Sequence, residues 1–548
     1  MNLTWMLEST TRKFPTKDAI VTADGDALSY AELLAASRRA ASVFRDAGVR
    51  PGDRVGVMTY NTPAFVIAAF GVWRAGATLV PINHKLTSPE VAYVLDHASI
   101  SVGVVDVDLA QTAETASETA STAATSAQTR ASGVATWLTT ADDGTGRFDA
   151  LVTDADEWDG IDVDEDAVAQ VLYTSGTTSN PKGCLHTHRG LATVPAYTTA
   201  AVGLQRDDRF LIAMPIWHAS PLNNWFLSMV FLGGTTVLLK EYHPIRFLEV
   251  VQEQRVTAFF GAPIAYLAPI QVATANGIEL SSFDLSSVRL WAYGGAPLGA
   301  DSVRLLQRAY GSESFTQVYG MSEMGPVGTA LYPEEQLEKA GAIGAAGMPG
   351  VDVRVVTEDG RDAAAGEVGE LWMRSDTRML GYLGDDAATA AAFDGDWYRT
   401  GDLARVDEDG YLFIVDRLRD VIITGGENVF SPEVEEALRA HPAIADAAVI
   451  GRPHADWGET IVAVVVRTEG ATVELDEVRA FLGERLAKYK IPRDLVLRAS
   501  LPRTPSGKIT KHVLRAELGG VQHGGVQPNA TPGVTAEAST DAPLSNRA

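Results

Sequence analysis

The sequence predicts an α/β protein with a large multi-subdomain N-terminal domain of mostly parallel sheets and helices, followed by a small α+β C-terminal domain. Three observations lead to this prediction. The chain has 548 residues, which is more than one hydrophobic core supports. Strand-like and helix-like segments alternate over most of its length, and the pattern changes after a short charged segment at residues 416–420.

The alternation is clearest in the first hundred residues. The segment "SYAELLAASRRAASVFRDAG" has apolar residues at helical spacing and stops at Gly48, and "DRVGVMTY" after it predicts a buried strand. The segment "AFVIAAFGVWRAGATLVPIN" shows the same pattern of a helix followed by a strand. Because parallel strands are joined through crossovers that are usually helices, this order favours a parallel sheet.

Composition divides the rest of the chain. Residues 108–146 include "AQTAETASETASTAATSAQTRAS", which is rich in Ala, Ser and Thr and predicts a surface insertion, at most a loose helix. We place the N-terminal domain at 1–415, a hinge at 416–420 and the C-terminal domain at 421–518. The polar residues 519–548, rich in Gly and Pro, predict a disordered tail.

Charge and cysteine content restrict the class of protein. The formal net charge is −25, and no basic stripe is present, so a general nucleic-acid binder is excluded. Such an acidic surface also suits a high-salt cytoplasm, with ordinary acidic solubility as the alternative. Cys184 is the single cysteine, so no intrachain disulfide forms, as expected in a reducing compartment.

The sequence gives no sign of export or of stable membrane insertion. The start "MNLTWMLESTTRKF" lacks the basic and apolar regions of a signal peptide. The apolar stretch from Phe226 to Leu239 is too short for a membrane span and is interrupted by Gly and Thr. We therefore predict a cytoplasmic protein.

The stretch "YTSGTTSNPKG", Tyr173 to Gly183, combines hydroxyl side chains, glycines and Lys182. Glycine lets backbone N–H groups turn toward an anion, and lysine adds a point charge, so the stretch predicts a polyphosphate cradle. It is not a Walker P-loop, because Lys182 precedes Gly183 and no Ser or Thr follows. Taken alone, the stretch has a plain surface loop rich in Ser, Thr and Gly as its alternative.

Five motifs together resemble the adenylate-forming superfamily, which includes acyl-CoA synthetases, adenylation domains of peptide synthetases and beetle luciferases. The first is "YTSGTTSNPKG"; the others, in family order, are "VYGMSE", "YRTGDL", "DRLRDVIITGGENVFSPEVE" and "PRTPSGKI". The resemblance covers residues 1–518. It implies that a carboxylate attacks the α-phosphate of MgATP, that pyrophosphate leaves, and that a mobile C-terminal domain then turns so that the thiol of CoA displaces AMP.

The resemblance assigns roles residue by residue. Glu323 would hold Mg²⁺, Tyr319 would stack on adenine, and Asp402 with Arg417 would bind ribose or phosphate. Taken alone, Asp402 would sooner be a helix N-cap or turn residue. The full set of implied ATP or AMP contacts is Thr174, Ser175, Gly176, Thr177, Thr178, Lys182, Gly295, Ala296, Tyr319, Gly320, Met321, Ser322, Asp402, Arg417 and Lys508.

The implied catalytic groups are Lys508, Thr174, Glu323 and His218. Lys508 would offset charge at the α-phosphate during adenylation, against the plainer alternative of a solvated surface lysine. Arg419 falls at the hinge position. The implied CoA contacts are Gly425, Gly426 and Glu427.

The predicted acyl pocket is Trp217, His218, Asn224, Tyr266 and Gly294. No Asp or Glu occurs from Phe210 to Lys240, so an amino-acid substrate, whose ammonium needs a carboxylate, is disfavoured. A pocket of apolar and neutral residues suits an aliphatic or aromatic acid. Arg289 would be the group for a dicarboxylate, but we expect it to face solvent.

We therefore predict an ATP-dependent carboxylic acid–CoA ligase whose substrate is a medium- or long-chain fatty acid or an aromatic acid. Its small-molecule partners would be the acid, ATP with Mg²⁺, and CoA. The alternatives are an acyl-AMP ligase that loads a carrier protein and a non-catalytic nucleotide-binding protein on the same scaffold. The oligomeric state stays open between a monomer and a homodimer.

Overall fold

The computed structural model describes residues 1–123, 136–174, 181–418, 420–424, 427–454, 457–503 and 509–519. Their strands, in chain order, are β1 Asp18–Thr22, β2 Ala27–Ser29, β3 Arg54–Met58, β4 Thr78–Pro81, β5 Val102–Asp106, β6 Thr136–Thr140, β7 Val168–Thr174, β8 Lys182–Thr187, β9 Arg209–Ile212, β10 Thr235–Leu238, β11 Ala258–Gly261, β12 Leu290–Gly294, β13 Phe315–Gly320, β14 Gly328–Leu331, β15 Val351–Val356, β16 Val368–Ser375, β17 Gly381–Tyr382, β18 Phe393–Asp394, β19 Trp397–Val406, β20 Leu412–Arg417, β21 Ile422–Thr424, β22 Glu427–Val429, β23 Ile444–His454, β24 Gly458–Arg467 and β25 Asp494–Arg498.

The α-helices of the same residues are α1 Leu3–Lys13, α2 Tyr30–Asp46, α3 Pro63–Arg74, α4 Ser88–His97, α5 Ala110–Ala123, α6 Arg147–Asp154, α7 His188–Val202, α8 Leu227–Leu232, α9 Pro244–Glu253, α10 Pro263–Ala275, α11 Ala300–Tyr310, α12 Asp386–Ala392, α13 Ser431–Arg439, α14 Leu475–Gly483 and α15 Lys511–Leu518. Short 3₁₀ turns and one π-helical segment, Ser220–Phe226, complete the list.

The first sheet has the strand order β14-β13-β12-β11-β9-β10-β1-β2. Its strands from β13 to β1 run parallel, and β14 and β2 pair antiparallel at the two edges. The carboxyl ends of β11, β12 and β13 therefore lie at one edge of the sheet. In open α/β sheets this is the edge at which ligands bind.

The second sheet has the order β17-β8-β7-β4-β3-β5-β6. Strands β7, β4, β3, β5 and β6 are parallel, whereas β8 and β17 are antiparallel additions. The parallel helix-and-strand layers predicted for the N-terminal part are thus confirmed.

In the segment at 108–146, of which residues 124–135 lie outside the described residues, helix α5 and strand β6 belong to the layer of the second sheet, which corrects the interpretation of these parts as a surface insertion. Its strand β6 pairs with β5 along the whole of both strands. Helix α5 buries Ala113 and Ala116 completely, and Trp137 on β6 donates a hydrogen bond of 2.9 Å to Ser117. Composition misled because small side chains allow close helix packing as well as disorder.

The third and fourth sheets are mostly antiparallel. Strands β15, β16, β19, β18 and β20 form the third, which the sequence analysis did not separate from the parallel layers. The fourth, with β21 to β25, belongs to the small C-terminal α+β unit, where β25 alone pairs parallel, with β24. This unit also contains helices α13, α14 and α15. No described helix is long and apolar enough to cross a membrane.

Candidate nucleotide and acyl site

Glycines end the strands at the ligand-binding edge of the first sheet. A Cβ on Gly294, the last residue of β12, would lie 2.5 Å from the carbonyl oxygen of Val318 on β13. Gly295 has a φ of +85°, a backbone conformation that favours glycine. The chain therefore turns sharply after β12, and the predicted nucleotide residues Gly295 and Ala296 lie beside the end of β13, which carries Tyr319 and Gly320.

A buried carboxylate lies close to this edge. Asp402 on β19 lies opposite Arg417 on the neighbouring antiparallel strand β20. The distance from Arg417 Nε to Asp402 Oδ1 is 3.2 Å. Tyr319 donates its hydroxyl to Oδ2 of Asp402 over 2.7 Å. Burial, and next the charge of Asp402, raise the pKa of the Tyr319 phenol, so it remains a neutral donor. Asp402 lies within a strand, so the helix N-cap alternative is wrong.

Glu323 lies in a 3₁₀ turn, Ser322–Met324, a few residues after the end of β13. Tyr382 on β17 donates its hydroxyl to Oε1 of Glu323 over 3.2 Å. Burial raises the pKa of this carboxyl. A carboxylate with lone pairs still free suits a hard cation such as Mg²⁺, so the donor chemistry fits the predicted metal role.

Lys182 joins the same cluster from β8. Its Nζ lies 4.8 Å from the ring centroid of Tyr382, a cation–π contact. Cys184, two residues further along β8, is completely buried, and burial raises the pKa of its thiol. Lys182 is thus held beside the residue that contacts Glu323.

The predicted phosphate loop connects β7 to β8. Thr174 ends β7 and lies directly opposite Lys182, and its hydroxyl is 3.5 Å from the Lys182 carbonyl oxygen. Ser175, Gly176, Thr177 and Thr178 lie outside the described residues. The structure therefore shows where the loop leaves β7 and where it returns to β8.

Two residues of α4 contact both flanks of this loop. The Nδ1 of His97 and the hydroxyl of Tyr173 are 2.7 Å apart, and Tyr93 donates its hydroxyl to the carbonyl oxygen of Pro181 over 3.1 Å. The rings of Tyr93 and His97 stack with centroids 5.3 Å apart. Sequence reasoning missed this Tyr93–His97 pair, because nothing local indicates a partner about eighty residues away.

Three acyl-pocket candidates lie on one segment after β9. The rings of Trp217 and His218 are adjacent, with centroids 3.8 Å apart, and Trp217 donates to Nδ1 of His84 over 3.1 Å. Asn224, in the π-helical segment, donates to the carbonyl oxygen of Pro326 over 3.3 Å. Its buried Oδ1 has no hydrogen-bond partner within the described part of the chain. The Asn224 side-chain oxygen therefore has unused hydrogen-bonding capacity.

Tyr266 is a core residue, which corrects its placement in the acyl pocket. Its ring is completely buried and packs against Trp291, Tyr310 and Phe315. Its hydroxyl donates to the carbonyl oxygen of Ala292 over 2.5 Å. All faces of the side chain are thus occupied by protein.

The expectation that Arg289 faces solvent holds only in part. About a third of the side chain is exposed, and its guanidinium forms an ion pair with the buried Asp208. Arg289 is therefore already partnered, and it is not offered to a substrate carboxylate.

Some of the remaining predicted residues lie within the described part of the chain and others do not. Met321 and Ser322 form the turn between Tyr319 and Glu323, and Glu427 begins β22 with an exposed side chain. Arg419, Gly425, Gly426 and Lys508 lie outside the described residues. Their roles stay predictions.

Comparison with known proteins agrees with this geometry. A family model of the AMP-binding enzymes matches residues 7–383, and the model of the AMP-binding enzyme C-terminal domain matches residues 433–508. The chain therefore belongs to the AMP-binding enzyme family. Within that family it is an AMP-forming ligase of the acyl-CoA synthetase type, as its relatives indicate.

Three similar proteins illustrate how closely the chain resembles known members of the family. Feruloyl-CoA synthase of Amycolatopsis sp is 38% identical over 498 residues, covering 90% of this chain and 95% of its own. The long-chain-fatty-acid–CoA ligase FadD13 of Mycobacterium tuberculosis is 32% identical over 517 residues, covering 94% and 98%. The crystal structure of ATP-bound MatB from Rhodopseudomonas palustris is 31% identical with a TM-score of 0.83, covering 94% and 99%. The similarity to an ATP-bound structure supports ATP use.

Proposed function

We propose that this protein joins a carboxylic acid with an apolar body to CoA, with Mg²⁺ and ATP, through an acyl-adenylate. The observation that carries the proposal is the cluster formed by the buried Asp402 with Arg417 and Tyr319, close to Glu323, at the carboxyl edge of a parallel sheet. In an AMP-binding enzyme this cluster has the donors and acceptors that a nucleoside phosphate needs.

Asp402 acts on the ribose in this proposal. Its two oxygens are oriented by Arg417 and Tyr319, so the carboxylate keeps one geometry and can accept from the sugar hydroxyls. Tyr319 then has a second task besides the predicted stacking on adenine, which is to hold Asp402. Gly320 allows the end of β13 to pack closely on the backbone of Pro326, since a Cβ there would lie 2.3 Å from the Pro326 carbonyl oxygen.

Glu323 would hold Mg²⁺, which neutralises phosphate charge when bound. The neighbouring Tyr382 orients the carboxylate through its hydroxyl and supports Lys182 through its ring. Lys182, Thr174 and the predicted loop residues would bind the polyphosphate. Lys508 would add its charge at the α-phosphate during adenylation, with Arg419 as hinge and Gly425, Gly426 and Glu427 near CoA.

The acid is assigned to an apolar class. Trp217 and Asn224 are uncharged and mostly buried, and His218 is half-buried beside them. A charged or zwitterionic body would lose hydration there without a partner. The relatives include a feruloyl-CoA synthase and a long-chain fatty acid ligase, so both aromatic and fatty acids fit at this level.

The direct test is release of AMP from ATP that depends on CoA. We would supply acetate, butyrate, octanoate, palmitate, malonate, benzoate and 4-coumarate, in low and in multimolar salt. A preference for one apolar acid supports the ligase. Exchange of pyrophosphate into ATP without CoA turnover would favour an acyl-AMP ligase that loads a carrier protein, and no activity with any acid would contradict the proposal.

Lys508→Ala separates the two half-reactions. We expect the variant to lose adenylation by about a hundredfold or more, because one preorganised charge at a transition state contributes on that order. It should still transfer the acyl group to CoA from a supplied acyl-adenylate. Lys488→Ala, at an exposed lysine in a 3₁₀ turn of the same unit, is the matched control and should leave both steps unchanged. Equal loss of both steps in Lys508→Ala would contradict the proposed role.

A further inference from the structure

Residues 375–382 form a strap that runs along the turn carrying Glu323. The backbone N–H of Met379 donates to the carbonyl oxygen of Glu323 over 2.7 Å. The hydroxyl of Thr377 donates to the next carbonyl oxygen of the turn, that of Met324, over 2.7 Å. Two successive carbonyl groups of the turn are therefore bonded to the strap.

Thr377 is fixed in the orientation that its bond to the turn needs. A hydroxyl has one proton to donate, and Thr377 gives it to Met324. Thr377 therefore accepts from the hydroxyl of Ser375, whose oxygen is 2.9 Å away, and the backbone N–H of Thr377 donates back to that oxygen over 3.3 Å. Both side chains are buried. Loss of the Thr377 hydroxyl would leave buried polar groups without this partner, which is costly.

Packing holds the turn against Thr377 as well. Gly325 directly follows the turn and has a φ of +92°. A Cβ on Gly325 would lie 2.7 Å from the carbonyl oxygen of Thr377 and 3.0 Å from its Cβ. The two stretches of backbone are thus in contact, and a shift of Thr377 would be passed directly to the turn.

The far end of the strap is anchored on β8. The backbone N–H of Leu380 donates to the carbonyl oxygen of Leu185 over 2.8 Å. Tyr382, at the end of the strap, donates to the Glu323 carboxylate. One stretch of chain therefore holds Glu323 twice, the carboxylate through Tyr382 and the backbone through the region of Thr377.

We infer that Thr377 is a positioning residue that strengthens metal binding at Glu323 by fixing the turn that carries this carboxylate. The inference rests on the proposed function, in which Glu323 holds Mg²⁺. Magnesium requires nearly ideal octahedral geometry with short bonds to oxygen, so a small displacement of a ligand weakens its binding. Thr377 acts through the backbone of the turn and is not itself a ligand of the metal or of the nucleotide.

The test measures how much Mg²⁺ tightens the binding of ATP. We would determine the Kd for ATP by calorimetry in EDTA and in saturating Mg²⁺, and take the ratio of the two values for each protein. Thr377→Val keeps the shape of the side chain but removes the hydroxyl, and it should lower this ratio about three- to tenfold, the range that one buried hydrogen bond supports. Thr377→Ser keeps the hydroxyl and should keep the ratio. A loss of stability that does not reach Glu323 changes both Kd values alike.

Two further variants serve as a control and as a second probe. Thr235→Val removes a buried hydrogen bond of similar length, 2.8 Å to the carbonyl oxygen of Asp18, at the amino end of β10, and should leave the ratio unchanged. Ser375→Ala removes the donor that orients the Thr377 hydroxyl and should lower the ratio about twofold or more. Ser375→Ala keeps the test decisive if Thr377→Val does not fold.

Each other outcome counts against the inference. An unchanged ratio in Thr377→Val or in Ser375→Ala would overturn it, while ATP binding and the ligase activity would stand. A ratio lowered as much by Thr377→Ser or by Thr235→Val as by Thr377→Val would show that the hydroxyl of Thr377 has no particular role, and this too would overturn it. A wild type in which Mg²⁺ does not tighten ATP binding would overturn the proposed metal role of Glu323 together with this inference.

Discussion

His97 and Tyr93 contact the two residues that flank the predicted phosphate loop, one on each side. Both come from α4, whose first turn is fixed by a capping box between Thr87 and Glu90. Burial lowers the pKa of His97, so the ring is neutral near pH 7 and bonds as one donor and one acceptor. The pair should therefore fix where the loop starts and returns.

We expect His97→Phe to raise the KM for ATP by about three- to tenfold with a smaller change in kcat. The substitution keeps an aromatic ring against Tyr93 but removes the hydrogen bond to Tyr173, and one such bond contributes about 1 kcal/mol. Tyr173→Phe removes the same bond from the other side. Steady-state kinetics of both variants and of the double variant form a cycle in which the double variant should lose no more than either single one. Additive losses would show that the bond itself does not position the loop.

At this scale, residues from separate motifs were predicted to share one site, and their roles there stay predictions. Asp402, Arg417 and Tyr319 were found in three separate motifs, and the structure brings them together. Tyr266 was misplaced because aromatic character does not distinguish a pocket wall from a core. The Tyr93–His97 pair was missed because it depends on contacts between distant parts of the chain.

Helix α15 is tied to the hinge region by buried charges. Arg515 forms an ion pair of 2.8 Å with Asp420, and both side chains are mostly buried. Lys511, one turn earlier, forms a pair of 2.8 Å with Glu435 on α13. Because α15 begins three residues after the predicted catalytic Lys508, the Arg515–Asp420 pair connects the helix behind that lysine to the predicted hinge at 416–420.

We expect Arg515→Met to lower the free energy of unfolding by about 3 kcal/mol, because it removes one buried charged partner of Asp420. Arg498→Met is the control, since Arg498 pairs with Glu517 on the same helix but at an exposed position. That change should cost about 1 kcal/mol or less. Urea denaturation of both variants measures the difference, and equal losses would show that burial does not distinguish the two pairs.

Asp416, in the predicted hinge at 416–420, makes the stability of the protein depend on pH. Its Oδ2 accepts from the backbone N–H of Ser431 over 2.7 Å and from its hydroxyl over 2.9 Å, and Lys511 and Asp420 are the charged groups that also act on it. Burial is the largest effect and raises the pKa of Asp416 to about 6. The folded protein then binds a proton more tightly than the unfolded chain, in which an aspartate has a pKa of about 3.9.

Stability from this group is therefore complete below about pH 4 and is lost as the pH rises through about 6, with a slope of at most about 1.4 kcal/mol per pH unit. Asp416→Asn, which cannot ionise, should flatten the profile of unfolding free energy between pH 4 and 6. Denaturation at half-unit steps of pH, with Asp494→Asn at a partly exposed aspartate as control, measures this. An unchanged slope in Asp416→Asn would contradict the assignment.

Elements were predicted well where periodicity was strong and less well where composition was used instead. Helix α2 and strand β3 lie close to where their apolar spacing placed them. The segment containing α5 and β6 was taken for an insertion, because Ala, Ser and Thr carry no clear period. The antiparallel third sheet went unrecognised, since alternation in a strand such as β16 shows a one-sided sheet without showing its partners.

The molecule as a whole carries a formal net charge of −25, and this should make its stability depend on salt. Like charges repel one another in the compact state, and salt shortens the range of that repulsion to about 8 Å at physiological ionic strength. We expect the thermal midpoint at pH 7.5 to rise by a few degrees between low and molar KCl. Near the isoelectric point the net charge is small, so the same salt steps should have little effect there. A midpoint that falls with salt at pH 7.5 would mean that attractive ion pairs dominate.

Motif order gave the arrangement of the whole chain more reliably than any local pattern did. Five motifs in sequence, which run from Tyr173 to Ile509, were enough to indicate an α/β scaffold with a small terminal unit. The identity of the acid could not be predicted from the sequence. It depends on which side chains from β9, β11, β12 and the π-helical segment meet, and no single stretch of sequence contains them.

The buried Cys184 has a practical consequence for watching this enzyme work. Thiol-reactive dyes attack thiolates, and a completely buried thiol with a raised pKa offers almost none to solvent. Cysteines introduced at Asp301 and Glu484, two highly exposed positions on the large and small units, would be the only sites labelled in the folded protein. A donor and an acceptor fluorophore there would report the distance between the two units in real time, on a natural background that needs no prior removal of cysteine.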